Sequence, residues 1–106
     1  MILSTTNTLQ GKNITDYKGI VSGETIIGAN AIKDWFASMT DFFGGRSSSY
    51  EKVLIQAKEI ATRELEEKAR KLGANAVIGI DFDYETIGAE GSMMMVSATG
   101  TAVTIE

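Results

Sequence analysis

Hydrophobic residues recur with two different spacings along the chain, and these spacings predict one long helix followed by two strands. From Tyr50 to Leu72, apolar residues recur at helical spacing against a face of Glu, Lys and Arg, which predicts a helix that ends at Gly73. Ala76 to Ile87 and Ser92 to Ile105 are rich in β-branched and apolar residues, with a turn between them. This pattern predicts two final strands that pair with each other.

The segments before the long helix predict further strands and a second, shorter helix. Ile2 to Leu9 is rich in Thr and aliphatic residues, which indicates a first strand. Tyr17 to Gly28 is β-branched but interrupted by glycines, which predicts either two short strands or one bent strand. Ala31 to Phe43 carries aromatic residues at helical spacing and is followed by Gly44, so we predict a short aromatic helix there.

Strict alternation in the strand from Ala76 to Ile87 predicts an apolar face and an acidic face. The apolar face would hold Ile78, Ile80, Phe82 and Tyr84. The opposite face would hold Gly79, Asp81, Asp83 and Glu85. A row of carboxylates is a candidate site for a hard cation such as Mg²⁺ or Ca²⁺, but we favour the simpler interpretation that it is the solvated face of a sheet.

The last strand predicts that one chain alone leaves apolar surface uncovered. Met93, Met94 and Met95 are consecutive, so both faces of this strand carry apolar side chains, whereas a strand with one wet face alternates. One long helix covers only one face of a small sheet. Self-association would cover the other face, unless the short aromatic helix folds back over it and the protein is a monomer.

Composition limits the class of protein. A chain of 106 residues, 43% hydrophobic and 23% charged, predicts a single globular domain spanning residues 1–106, with an α+β fold of two layers. The net charge of −4 argues against a nucleic-acid partner. No signal peptide and no segment apolar enough to span a membrane is recognised, so we expect a cytoplasmic protein.

The absence of both Cys and His restricts the chemistry that the chain can perform. Thiolate nucleophiles, disulfides and the usual zinc ligands are excluded, as is the commonest general base. We therefore predict no tight binding of Zn²⁺, Cd²⁺ or Cu²⁺, and no cofactor. Methionine runs are usually core residues, so we interpret Met93 to Met95 as packing residues, although two thioethers on one side of a strand also suit copper.

The loop before the long helix concentrates the ingredients of an anion site. Gly45, Arg46, Ser47, Ser48 and Ser49 combine a flexible backbone, a guanidinium and hydroxyls next to a helix N-terminus. The spacing does not match the phosphate-binding loop of nucleotide-binding proteins. The same residues also suit a connector that caps the helix, and Arg46 would then pair with a carboxylate across a subunit interface.

Four segments in order resemble one known family over nearly the whole chain. They are GIVSGE (19–24), GGRSSSYE (44–51), LGANAVIGIDFDYE (72–85) and SATGTAV (97–103), and they are similar to the YbjQ-like family. These are small prokaryotic proteins of unknown function, sometimes labelled as heavy-metal-binding. The resemblance implies a dodecin-like subunit, in which a long helix packs on an antiparallel sheet, and assembly into a pentameric ring.

Two functions from different classes are compatible with these observations. The first is a non-catalytic homo-oligomeric ring, which binds a small molecule or acts as a structural or interaction module. The second is an enzyme whose active site lies between subunits and uses Arg46, the neighbouring serines and an acidic residue. The family label adds metal binding as a further alternative, and no catalytic residue is assigned from the sequence.

Overall fold

The computed structural model describes residues 1–28, 48–89 and 93–106, and in residues 48–50 it describes the backbone alone. In chain order the elements are β1 (Ile2–Leu3), β2 (Ile14–Ile27), α1 (Ser48–Lys71), β3 (Ala76–Ile87) and β4 (Met93–Ile105). The four strands form one sheet in the order β1-β3-β4-β2, and α1 packs on one face of it, mainly over β2 and β4. The predicted α+β fold with a helix on a sheet is confirmed, whereas the predicted short helix from Ala31 to Phe43 lies outside the described residues.

The sheet is mixed, because its shortest strand is parallel to its neighbour. β3 pairs antiparallel with β4, as predicted, and β2 pairs antiparallel with the other side of β4, while β1 pairs parallel with the beginning of β3. The predicted first strand from Ile2 to Leu9 is too long, since only Ile2–Leu3 is a strand. Beyond it, the Ser4 hydroxyl accepts a hydrogen bond from the Thr6 amide, and the Thr6 hydroxyl donates to the Thr8 carbonyl. These local bonds compete with a sheet ladder and turn the chain away.

β2 is one long strand, which decides between the two predicted alternatives for this segment. It begins at Ile14, and its pairing with β4 shifts between Ile14 and Asp16 and again between Tyr17 and Gly19. Register shifts of this kind bend a strand and increase its twist. From residue 20 to residue 27 the pairing with β4 is regular, and this straight stretch runs under α1.

Sequence and structure agree most closely in α1. Three exposed Glu–Lys or Glu–Arg pairs at i,i+4 support it, each with Glu on the N-terminal side, as the helix dipole favours. Its end is a Schellman motif: the Gly73 amide donates to the Arg70 carbonyl and the Ala74 amide to the Ala69 carbonyl, with Gly73 at a φ of 84°. The predicted stop at Gly73 is therefore confirmed.

Small residues bring α1 unusually close to the sheet. Ala57, Ala61 and Ala69 are buried along its inner face, together with Leu65. Directly below them lies Gly23 of β2, where a Cβ would collide with the backbone oxygen of Ala61 and come within 2.7 Å of the Leu65 nitrogen. Glycine at position 23 is thus what allows the helix backbone to rest on the strand.

A bulge at Gly79 interrupts the predicted alternation of β3. Ile78 and Ile80 do not share a face: Ile80 packs under α1 with Val77, whereas Ile78 packs on the other face of the sheet with Val103. The pairing with β4 shifts between Ile78 and Asp81, and Gly79 has a φ of 61°, which favours glycine. The prediction was wrong for Ile78 because the inserted residue moves every later side chain to the other face.

Candidate functional site

The sheet face turned away from α1 carries the acidic row that the sequence predicts. Asp81, Asp83 and Glu85 are all exposed on β3, and hydroxyl residues of β4 lie opposite the two aspartates. No ion pair to these three carboxylates exists among the described residues. Within the same ranges, no group of three or more acidic, cysteine or histidine side chains is arranged to hold a metal ion. The row is an acidic sheet surface, and the described geometry does not make it a metal centre.

The methionine run divides between the two faces of the sheet. Met94 packs beside the core cluster formed under the first turns of α1, whereas alternation places Met93 and Met95 on the opposite face. On that face Met93 pairs with Ile87 and Met95 pairs with Ile26. One end of β4 therefore carries apolar side chains on both faces, as the sequence predicts.

The predicted anion site falls at the boundary of the described chain. Gly45, Arg46 and Ser47 lie outside the described residues, and Ser48 and Ser49 are the first two residues of α1. The backbone thus places the last two serines at the helix N-terminus. The anion site itself stays a prediction.

A long open edge is a feature of the structure that sequence reasoning missed. β2 is the last strand in the sheet, and within the described ranges no strand pairs with its outer side. Ile20 is 81% exposed and Ile26 is 59% exposed along this edge. Ile60 and Leu72 of the helical layer are also exposed, and they line grooves that adjoin β2. We call this surface, formed by the β2 edge with Ile60 and Leu72, the β2 flank.

The opposite side of the sheet has a second open edge. β1 and the residues after it bond to β3 only as far as Ile80, and within the described ranges no strand pairs with the outer side of residues 81–87. Tyr84 is 50% exposed there, and Ile55 of α1 is 56% exposed. The ammonium of Lys58 lies 4.8 Å from the ring centre of Phe82. We call residues 81–87 with Ile55 and Lys58 the β3 flank.

The β2 flank also contains a polar atom without a partner. The hydroxyl oxygen of Thr25 is buried and has no hydrogen-bond partner in the described part of the protein. It lies beside a groove of about 180 Å³ lined by Val53, Gln56 and Ile60.

The exposure of Ile60 could not be predicted from the sequence. Ile60 belongs to the same apolar stripe as its buried neighbours, and it is exposed because α1 contacts the sheet through a narrow row of alanines.

One ion pair marks the beginning of β2. The Lys18 ammonium lies 2.9 Å from a carboxylate oxygen of Asp16. The hydrogen bond from Lys18, and then its positive charge, hold the pKa of Asp16 below the ordinary value of 3.8. Because the pKa of Asp16 is lower in the folded state, the ionised carboxylate stabilises the folded chain at pH values above the unfolded-state pKa. This stabilisation is lost as the pH falls through the folded-state pKa. Because the pair is exposed, it is a surface feature of the edge and not a buried catalytic carboxylate.

Fold and surface together define a two-layer α+β domain with an acidic sheet face and, within the described residues, two sheet edges without a paired strand. No helix within the described ranges is long and apolar enough to cross a membrane. The family model named YbjQ, whose description reads "Putative heavy-metal-binding", matches residues 1–106. The chain belongs to this family.

Two relatives of the chain carry a family name that states no activity. The chain is 58% identical to a protein named UPF0145 from Acetivibrio thermocellus and 59% identical to one of the same name from Clostridium kluyveri, each over the full length of both chains. The fold is similar to a crystal structure of a protein of unknown function from the DUF74 family of Pediococcus pentosaceus. That similarity has a TM-score of 0.64 at 21% identity and covers 100% of this chain and 98% of the other.

Proposed function

We propose that this protein is a non-catalytic subunit of a homo-oligomeric ring, which binds a small ligand or serves as a structural or interaction module. The observation that carries the proposal is the open edge of β2, a strand of 14 residues with Ile20 and Ile26 exposed on it. Long edges with exposed apolar side chains are templates for pairing with another chain, and proteins that remain monomeric cover or shorten them.

The positions of the two flanks favour a ring over a two-fold dimer. The β2 flank and the β3 flank lie at opposite edges of the sheet. A contact between two different surfaces of the same chain is heterologous, and it produces a closed ring when the rotation between subunits closes. Five subunits is the number that the family resemblance implies.

Burial of these side chains would supply much of the association energy. Removing one Ile side chain from water stabilises a complex by about 1.5–3 kcal/mol. The β2 flank exposes Ile20, Ile26, Ile60 and Leu72, and the β3 flank exposes Ile55 and Tyr84. Covering both flanks therefore gives a favourable term large enough to offset part of the entropy lost when chains associate.

Sedimentation equilibrium at micromolar concentration is expected to give the mass of an oligomer. Five chains of 11.4 kDa correspond to about 57 kDa. Ile20→Glu and Ile26→Glu place a negative charge on exposed positions of the β2 flank, so we expect each to shift the mass towards one chain without unfolding it. Gln10→Glu, in the exposed loop after β1 and outside both flanks, is the matched control and should keep the wild-type mass. A wild-type mass near one chain would refute the proposed function.

A further inference from the structure

The two open edges of the sheet run in the same direction along their strands. β3 is antiparallel to β4, and β4 is antiparallel to β2, so β2 and β3 are parallel to each other. When two copies stand side by side with their helices on the same side, β2 of one copy meets β3 of the next. The contact between them would be a parallel pair of strands.

The two edges also match in length and regularity. After its last register shift, β2 pairs regularly with β4 from Ile20 to Ile27. After its own bulge, β3 pairs regularly with β4 from Asp81 to Ile87. The earlier part of the β3 edge is occupied by β1 and by bonds from Gly79 to Thr6 and from Ile80 to Ser4. Each chain thus presents one straight open segment of similar length at each edge.

We propose that the open segment of β2 (residues 20–27) of one chain pairs in parallel with the open segment of β3 (residues 81–87) of the next chain, with residues 20–24 directly beside residues 83–87, so that the sheet continues from subunit to subunit around the ring. This inference rests on the proposed function and names the surfaces that meet. Its occupant is a second copy of this chain, because the same molecule supplies both complementary edges.

The helical layer fits this arrangement. α1 lies over β2 and β4 and leaves the helix side of β3 open, where Tyr84 and Ile55 are exposed. The α1 of the next chain lies over its own β2, so pairing brings that helix beside these side chains. A groove of about 470 Å³ along this side of α1, lined in part by Ile55, Lys58 and Arg63, is then bounded by the neighbouring helical layer.

Charge favours one register for the pair. Glu24 on β2 and the three acidic residues of β3 project from the strand faces turned away from α1, and like charges on adjacent strands are destabilising. The Glu24 carboxylate lies 3.8 Å from the Lys68 ammonium, which offsets part of its charge. Among the registers that set Glu24 opposite one of residues 81–87 on this face, only the one opposite Ile87 avoids a carboxylate directly beside it. The same register sets Ser22 beside Glu85 and Ile20 beside Asp83.

The absence of natural cysteines makes this register directly testable. The full-length variant Ser22→Cys/Glu85→Cys is oxidised at the concentration at which the wild type is assembled. Adjacent strands lie about 4.8 Å apart, within the Cα separation that a disulfide spans. Inside one chain β4 separates the two positions, and their β4 partners are Thr99 and Met95, so an intrachain disulfide is out of reach.

We expect the double variant to form covalent multimers of up to the full ring on a non-reducing gel. Ser22→Cys alone and Glu85→Cys alone should remain single chains, and so should the control pair Ser22→Cys/Gln10→Cys. Dimers of Ser22→Cys alone would overturn the inference, because they indicate that β2 pairs with β2. A double variant that assembles with the wild-type mass but does not crosslink would also overturn it, while leaving the proposed function intact. A wild-type chain that is monomeric by sedimentation would refute both.

Discussion

Gly23→Ala is expected to destabilise the folded chain by about 3 kcal/mol, the upper part of the usual range for adding a methyl group to a packed interior. The added Cβ would collide with the Ala61 carbonyl oxygen and lie 2.7 Å from the Leu65 nitrogen. Both atoms belong to the helix backbone, so no side-chain rotation can relieve the collision. The whole of α1 must move away from β2, which loosens the buried contacts of Ala61 and Leu65 as well.

Urea unfolding monitored by circular dichroism measures this effect, with protein concentration held constant because association changes apparent stability. Gly28→Ala is the matched control, since among the described residues no atom lies within 4 Å of the position that its Cβ would take. The control should be within about 0.5 kcal/mol of wild type, as is usual for surface substitutions. If both variants unfolded at the same urea concentration as the wild type, the close contact between α1 and β2 would be disproved.

Leu65→Ala is expected to cost about 2–5 kcal/mol, the range for removing most of a buried leucine side chain. Leu65 has no exposed surface, and it packs in the same cluster as Val21 of β2, Val77 of β3 and Ala98 of β4. Truncation leaves a cavity at the point where α1 meets three strands. The surrounding residues are mostly small and already close-packed, so little collapse into the cavity is possible.

The control for this substitution keeps the volume of the side chain. Leu65→Met should cost less than about 1.5 kcal/mol, because methionine nearly fills the same space. Equal losses for Leu65→Ala and Leu65→Met would show that the effect does not come from packing. A loss below 1 kcal/mol for Leu65→Ala would mean that the cluster is not the centre of the core.

Local patterns were sufficient for the elements whose signals lie within a few residues. The period of α1, its stop at Gly73 and the existence of β3 and β4 all follow from side-chain spacing and turn chemistry. The bulge at Gly79 could not be predicted, because a glycine within a strand pattern permits a bulge without requiring one. β1 was predicted too long because the hydroxyls of Ser4 and Thr6 satisfy backbone groups that a strand would have used.

The candidate surface was harder to predict than the elements. Whether a strand is central or at an edge depends on the order of strands, which arises from pairings between residues far apart in the chain, such as Ile14 with Ile105. Ile60 belongs to the apolar stripe of α1, but its exposure follows from how narrowly the helix contacts the sheet. Met93 to Met95 led to the prediction of a partner, whereas nothing in the sequence indicated which surface that partner would contact.

The residues that carry the family resemblance mainly build the fold. Gly23 allows α1 to pack closely on β2, Gly73 ends α1, and Gly79 forms the bulge in β3. The side chain of Asn75 both donates to the Ile105 carbonyl and accepts from the Ile105 amide, which ties the end of β4 to the turn after α1. These four motif residues therefore define the architecture of the domain, and none of them points to a reaction.

The strand order also has a kinetic consequence. β3 and β4 are neighbours in sequence, so we expect their pairing to form early, whereas β2 can pair with β4 only after the longer intervening chain that contains α1 has folded back. During that interval β4 can pair with the β2 of another chain, which is a domain swap. Refolding from urea at high protein concentration should therefore produce swapped species that dilute refolding does not, as judged by sedimentation velocity. Identical species at both concentrations would show that β2 docks before chains meet.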